Sequence, residues 1–188
     1  NKVVYEYDNL DRLIAKRYKG TIMRYDPAQV SESCDGFVSV TVDIVLEAYR
    51  YDANGNVEKK VDGQGYDAAL IELLGGGSTK ELIDAAHGTE YTYNNANQLE
   101  TVKTPEFDNI YKKKSDEDFK YNNEYTYDGL GRLVGEISAY NRDVDALLTD
   151  GTTEVVSDVS FSKTNYQYND YSRSMTVNIQ KDISITDN

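Results

Sequence analysis

The sequence predicts a mainly β fold, built from repeated antiparallel β-hairpins with one small helical insertion. Three observations carry that expectation. A Tyr-x-Tyr dyad recurs five times, at Tyr5/Tyr7, Tyr49/Tyr51, Tyr91/Tyr93, Tyr125/Tyr127 and Tyr166/Tyr168. Each dyad runs into a residue that opens tight turns, namely Asp8, Asp52, Asn94, Asp128 or Asn169. Apolar residues in the flanking segments alternate with period two, as they do where a strand presents one face to a core.

The first hairpin is expected over residues 1–18. After Asp8, whose short side chain can bond the backbone two residues on, Asp11 falls where a type I turn with a bulge needs positive φ. The same position is held by Gly55, Asn97, Gly131 and Ser172 in the later repeats. Glycine suits it best, Asn and Asp are tolerated there, and Ser172 is the poor member. A strand resumes at Leu13, Val57, Leu99 or Leu133, giving further hairpins at 45–61, 88–104, 122–138 and 162–180. The feeding strands are long. From Val38 to Ala48 the apolar residues fall on even numbers whereas Tyr49 and Tyr51 are odd, so a bulge is expected near Ala48, or tyrosines that face away from the aliphatic side.

Two insertions separate the hairpins, at 66–88 and 105–123. In the first, Ala68, Leu70, Ile71 and Leu74 have helical spacing before Gly75-Gly76-Gly77, and Ser78 with Glu81 forms a capping-box pattern ahead of Leu82 and Ile83. Helix is therefore expected near 67–86, with Gly88 as its stop. The second insertion mixes Lys112-Lys113-Lys114 with Asp116-Glu117-Asp118 and reads as a solvated loop. At the far end Met175, Val177 and Ile179 alternate, and Ile183 and Ile185 keep the phase. A strand running to the C-terminus suggests that residues 1–188 are a single module cut from a longer chain.

Composition narrows the function classes. Leu, Ile, Val and Phe supply only 42 of 188 residues, so the 17 tyrosines are expected to complete the core, each ring burying area while its hydroxyl stays hydrogen-bonded. A net charge of −13 argues against a phosphate backbone as partner, because such binding is driven by clustered Lys and Arg. No apolar stretch approaches the ~20 residues that a membrane-spanning helix needs. With Cys34 alone, neither an intrachain disulfide nor a Cys-based metal cluster can form.

The segment Tyr125-Thr126-Tyr127-Asp128-Gly129-Leu130-Gly131-Arg132-Leu133 resembles the signature of the YD repeat, also called the RHS repeat, whose pattern is Tyr-x-Tyr-Asp-x-x-Gly-Arg-Leu. Tyr49 to Val57 resembles it with Asn56 for Arg and Val57 for Leu. Tyr5 to Leu13 matches except for Asp11 in place of Gly, while Tyr91 to Leu99 and Tyr166 to Ser174 are more degenerate. The resemblance implies a sheet that coils as a long strip, as in the shells of bacterial toxin complexes, RHS polymorphic toxins, wall-associated bacterial proteins and teneurin adhesion receptors. It also implies a hollow casing whose chemistry lies in a separate domain. The self-cleaving carboxylates of the family have no counterpart here, and Asp26-Pro27 stands in another context.

Residues that could carry chemistry have plainer roles. His87, between Ala86 and Gly88, has no neighbouring partner to orient it for acid–base work. Cys34 has no base beside it in sequence to lower its pKa. Asp8, Asp52 and Asp128 lack the spaced ligands and closing Glu of a calcium loop. Gly75 to Lys80 fails the residue order of a phosphate loop. The expectation is a chain without catalytic residue, cofactor or metal. It would be a structural segment of a secreted or cell-surface protein, partnered by flanking repeats or by an enclosed or attached effector domain of the same longer chain. The alternative is an adhesion module that binds a surface glycan or protein receptor through exposed tyrosines and the insertions.

Overall fold

A computed structural model describes residues 1–31, 34–105, 122–147 and 153–181, the side chains of 34, 140–147 and 153–159 excepted. The centre of the second insertion, the Lys/Asp run within it, and Ile183 and Ile185 lie outside the described residues. Within them the chain forms ten strands and two helices. By its contacts it divides into two compact units, Asn1–Gly88 and Thr89–Asn188.

The first unit contains β1 (Lys2–Tyr7), β2 (Leu13–Ser31), β3 (Cys34–Tyr51) and β4 (Val57–Asp62), then α1 (Gly63–Glu72) and α2 (Thr79–Ala85). Each strand is antiparallel to the next, in the order of the chain. Strands β2 and β3 are 19 and 18 residues long, and their far ends meet through an edge-to-face pair of Tyr25 and Phe37 with centroids 5.5 Å apart. The phase change anticipated near Ala48 comes from a bulge at Leu46. Lys16 pairs with Glu47 and Arg17 with Val45, so Leu46 is the unpaired extra residue.

The core lies where the helices cover the sheet. Ala15, Ala48 and Val61 are directly opposite one another across β2, β3 and β4, and all three are fully buried. Two alanines in that row leave room above the sheet, which Tyr66, Ala69, Leu82, Ile83 and Ala86 fill. Helix α1 begins at Gly63, four residues earlier than its apolar spacing suggests. Asp62 caps it by accepting from the Gly65 amide at 2.8 Å. Glycine is required in that first turn because a Cβ on Gly63 would lie 2.5 Å from the Val45 carbonyl oxygen, and one on Gly65 2.3 Å from that of His87. The helix ends in a Schellman arrangement, with Gly75 N–H bonding the Leu70 carbonyl at 2.7 Å and Leu74 held at φ 54°. Helix α2 starts in a full capping box of Ser78 and Glu81 and stops at Ala86, which turns to extended backbone, so Gly88 does not end it.

The second unit contains β5 (Thr89–Tyr93), β6 (Leu99–Lys103), β7 (Asn123–Tyr127), β8 (Leu133–Leu147), β9 (Thr153–Asn169) and β10 (Ser174–Lys181), again each antiparallel to the next. Asn122 ties three strands here: its amide donates to the Val102 carbonyl at 2.8 Å, its own carbonyl accepts from Ala139 at 2.7 Å, and its side chain accepts from Thr104 at 2.6 Å.

The tyrosines do not complete the core in the expected way. Among the described residues only Tyr66, outside every dyad, is buried. Tyr5 and Tyr7 are exposed, and the other eight dyad rings are half-buried. A ring on an open sheet face keeps one side toward water, so the dyads serve as cross-strand contacts and the helices seal the interior.

Candidate functional site

The repeated motif builds two devices, a turn clamp and a seam between neighbouring hairpins. In the clamp of the first repeat, Asp8 Oδ1 accepts from the amides of Leu10 at 2.9 Å and Arg12 at 3.0 Å. Its Oδ2 accepts from Arg12 Nε at 2.7 Å, and the guanidinium forms an ion pair with it at 2.7 Å. Asp128 holds the amides of Leu130 and Arg132 and the Arg132 side chain in the same way. Asp52 holds the amides of Asn54 and Asn56 and the Asn56 side chain. Asn94 keeps the pattern in neutral form: its oxygen accepts from the amides of Ala96 and Gln98, and its Nδ2 donates to Gln98 Oε1 at 3.0 Å.

These bonds favour the charged carboxylate. Asp8 and Asp128 are held below the ordinary carboxylate range, chiefly by the amides of Arg12 and Arg132, and Asp52 chiefly by the Asn56 side chain. The clamp sets the turn, and the positive-φ residue follows in place: Asp11 at 59°, Gly55 at 91°, Asn97 at 59° and Gly131 at 79°. At each of these four turns the ladder shifts by one residue beside the second tyrosine.

The fifth turn differs. Ser172 does not take positive φ; Arg173 does, at 53°. Asn169 pairs directly with Ser174 and the ladder has no bulge, so the loop is one residue longer than the others. Asn169 still accepts from the amides of Tyr171 and Ser172. With no glycine or short acceptor in the fourth place, the chain moves the strained conformation one residue on.

The seam forms where the second tyrosine of one repeat meets the end of the preceding motif. Tyr51 donates its hydroxyl to the Leu13 carbonyl, Tyr127 to that of Leu99, and Tyr168 to that of Leu133, each at 2.8 Å. The guanidinium carbon of Arg12 lies 4.7 Å from the Tyr51 ring centre, and that of Arg132 lies 4.5 Å from the Tyr168 ring. Arg132 also forms an ion pair with Asp170 in the next turn. Gln98, which stands where the first, fourth and fifth repeats have Arg12, Arg132 and Arg173, donates to the Gly131 carbonyl at 2.8 Å. Desolvation raises the hydroxyl pKa of Tyr51 and Tyr127, keeping both protonated as donors.

Two of the first tyrosines bond carboxylates. Tyr49 donates to Glu47 at 2.8 Å, which lowers the Glu47 pKa, and Tyr166 bonds Glu136 at 3.4 Å. Burial raises the Tyr125 and Tyr166 hydroxyls. Tyr91 pairs with Val102 across β5 and β6, and Tyr93 with Leu99. The motif thus spends Tyr, Asp, Gly, Arg and Leu on joining strands. The seam's hydroxyl bond and cation stack escape a reading of single repeats, because their partners lie 28 to 39 residues apart in different repeats. The signal for the clamp was present, since Asp is followed four residues on by Arg or Asn, and Asn94 by Gln98.

A cavity of ≈ 330 Å³ lies in the first unit beside Arg12, Tyr51, Arg50, Lys80 and Ile83. Arg12 is paired there with Asp8, and Arg50 with Glu58 and Asp84. Among the described residues no three His, Cys, Asp or Glu side chains are placed to hold a metal ion, and no helix is long and apolar enough to cross a membrane. His87 is exposed beyond the end of α2.

Fold and seam together define a protein of clamped, tyrosine-seamed β-hairpins. No protein family's sequence profile matches the chain, and no curated protein matches it by sequence. Solved structures similar to it include a crystal structure of TcdB2-TccC3-Cdc42, at 12% identity and a TM-score of 0.33 over 95% of this chain. The Photorhabdus luminescens Tc holotoxin pore carrying a TccC3 mutation is similar at 13% identity and a TM-score of 0.32, again over 95%. A crystal structure of TcdB2-TccC3 is similar at 13% identity and a TM-score of 0.27. The chain spans 9% of the length of each of these chains.

Proposed function

We propose that this chain is a non-catalytic structural segment of a secreted or surface-exposed YD/RHS-repeat protein, a stretch of β-sheet casing or stalk flanked by further repeats. The observation that supports it is the seam: three separate junctions use a tyrosine hydroxyl on the preceding motif's last carbonyl, each at 2.8 Å. Polar side chains that an enzyme would aim at a substrate are here bonded to backbone and to one another. Substituting both Tyr125 and Tyr127 by Ala tests the reading. Loss of several degrees in melting temperature is expected, because both rings support strand pairing; an unchanged melting temperature would overturn it.

A second reading, an adhesion module for a surface glycan or protein receptor, is favoured by the exposed rings of Tyr5, Tyr7 and Tyr171. Screening the chain and its Tyr171→Ala variant against immobilised glycans separates the two. Binding that disappears with Tyr171 while the fold is retained would support the adhesion module, and no binding would leave the casing.

A further inference from the structure

We propose that Asn54 is a site of spontaneous covalent modification. The Gly55 amide nitrogen displaces ammonia from the Asn54 side chain, leaving aspartate or isoaspartate in the second turn. Asn54-Gly55 is the one Asn-Gly pair in the 188 residues, and it fills the third and fourth places of the turn that Asp52 opens. The other four turns hold Leu10, Ala96, Leu130 and Tyr171 in the third place, so only the second repeat sets a carboxamide there. Asn54 and Gly55 are both exposed. A Cβ on Gly55 would meet nothing within 4 Å, and the residue stands at φ 91°. Lacking a side chain, glycine lets its backbone nitrogen approach the carboxamide carbon closely. The Asn54 carboxamide itself is held by no hydrogen bond among the described residues.

The chemistry needs only water and a base. Hydroxide takes the proton of the Gly55 amide, and the nitrogen forms a bond to Asn54 Cγ. The Cγ–Nδ2 bond breaks, and Nδ2 gains a proton from water and leaves as ammonia. The product is a cyclic imide. Water then cleaves one of its two carbonyl–nitrogen bonds. Cleavage at Cγ gives aspartate, and cleavage at the main-chain carbonyl gives isoaspartate, whose backbone runs through Cβ and Cγ. No group is oxidised or reduced, and either product carries one more negative charge than asparagine.

The turn restrains this reaction. The attacking Gly55 N–H is bonded to the Asp52 carbonyl at 3.2 Å, and Asp52 Oδ1 holds the amides of Asn54 at 2.9 Å and Asn56 at 2.8 Å. Closing the ring rotates the peptide between Asn54 and Gly55, so these bonds open first. In isoaspartate an extra methylene lies between the two held amides, and one carboxylate oxygen no longer reaches both. The new carboxylate also stands two residues from Asp52, where like charges repel. Arg12 reaches the Asp52 carbonyl and stacks on Tyr51, so a loosened second turn weakens the joint between the first two hairpins. Asn97 is the internal comparison. The amide that would attack it belongs to Gln98, which carries a side chain and is held by Asn94 at 3.1 Å.

Incubating the whole folded chain at mildly alkaline pH and mapping its peptides by mass tests the proposal. The small mass gain from exchanging NH2 for OH is expected in the peptide that holds Asn54, as two chromatographic forms, well before any peptide that holds Asn97. Asn54→Ser should abolish it. Asp52→Ala should speed it roughly two- to tenfold for each hydrogen bond that no longer has to open. Unfolding the unmodified chain in urea should speed it too, a comparison that needs no variant. In the modified chain amide exchange should quicken at Asn56 and stay unchanged at Gly131. Reaction at Asn97 or another asparagine ahead of Asn54 would overturn the site, and so would an Asn54 that stays intact throughout. A rate no faster in urea than in the folded chain would overturn the restraint.

Discussion

The two units use one seam with different support beneath it. In Asn1–Gly88, β2 to β4 are backed by α1 and α2, and every buried apolar residue of the described chain, from Ala15 to Ala86, belongs there. In Thr89–Asn188 the buried residues with described side chains are Thr101 and Ser160. Burial of apolar area is the dominant favourable term in folding, so the first unit draws on a sealed interior, whereas the described residues of the second contribute ladders, clamps and half-buried rings. Among the described residues of the second unit, the seam therefore carries a larger share of local stability than it does in the first.

The largest way to break that contrast is Leu82→Ala. It empties the space between α2 and the sheet and is expected to cost about 2–5 kcal/mol. Hydrogen exchange should show protection lost over Thr79–Ala85 and unchanged over β7–β10; equal loss in both would show that the units share one core. Next comes Gly131→Val, which forces a β-branched residue to φ 79° and should cost about 1–2 kcal/mol. At the fifth turn Arg173→Gly should raise the melting temperature, because φ 53° suits glycine, whereas Ser172→Gly should do nothing comparable.

Tyr51→Phe and Tyr168→Phe sharpen the comparison at the seam itself. Each removes one hydroxyl bond worth roughly 0.5–1.5 kcal/mol. The unfolding of the second unit should respond more to Tyr168 than that of the first to Tyr51, and the reverse order in separate exchange measurements would contradict the support argument. The smallest effect concerns acid. Asp8, Asp52 and Asp128 have folded pKa values below their unfolded ones. Their contribution is therefore fully present above the unfolded value of about 3.9 and is lost as pH falls through the lower folded values. Amide exchange at Gly131 should accelerate over that window, while exchange at Asn97, behind the uncharged Asn94–Gln98 clamp, should not.

Much of this was legible because it is local. Asp11, Gly55, Asn97 and Gly131 sit at positive φ for reasons contained in five consecutive residues, and the capping box of α2 is written in Ser78 and Glu81. What was not legible depends on the neighbour. The start of α1 is hidden because its first turn is chosen for close approach to the Val45 and His87 carbonyls, which puts two glycines where helix formers are expected. The partners of Arg12 and Tyr51 become visible only once β2 lies beside β3. Ser172 misled because a loop of adjustable length can shift its strain by one residue.

The same hydroxyl bond at all three seams has a consequence for how such a chain can change over generations. All the joining groups lie within a few residues of each turn, and the spacings between dyads, 44, 42, 34 and 41 residues, vary without disturbing them. The intervening segment can therefore lengthen into a long hairpin, as β2 and β3 do, or acquire a pair of helices, while the joints keep the same form. A duplicated or deleted hairpin would leave edges that still fit, which makes the gene tolerant of copying errors that would ruin a protein with a single shared core.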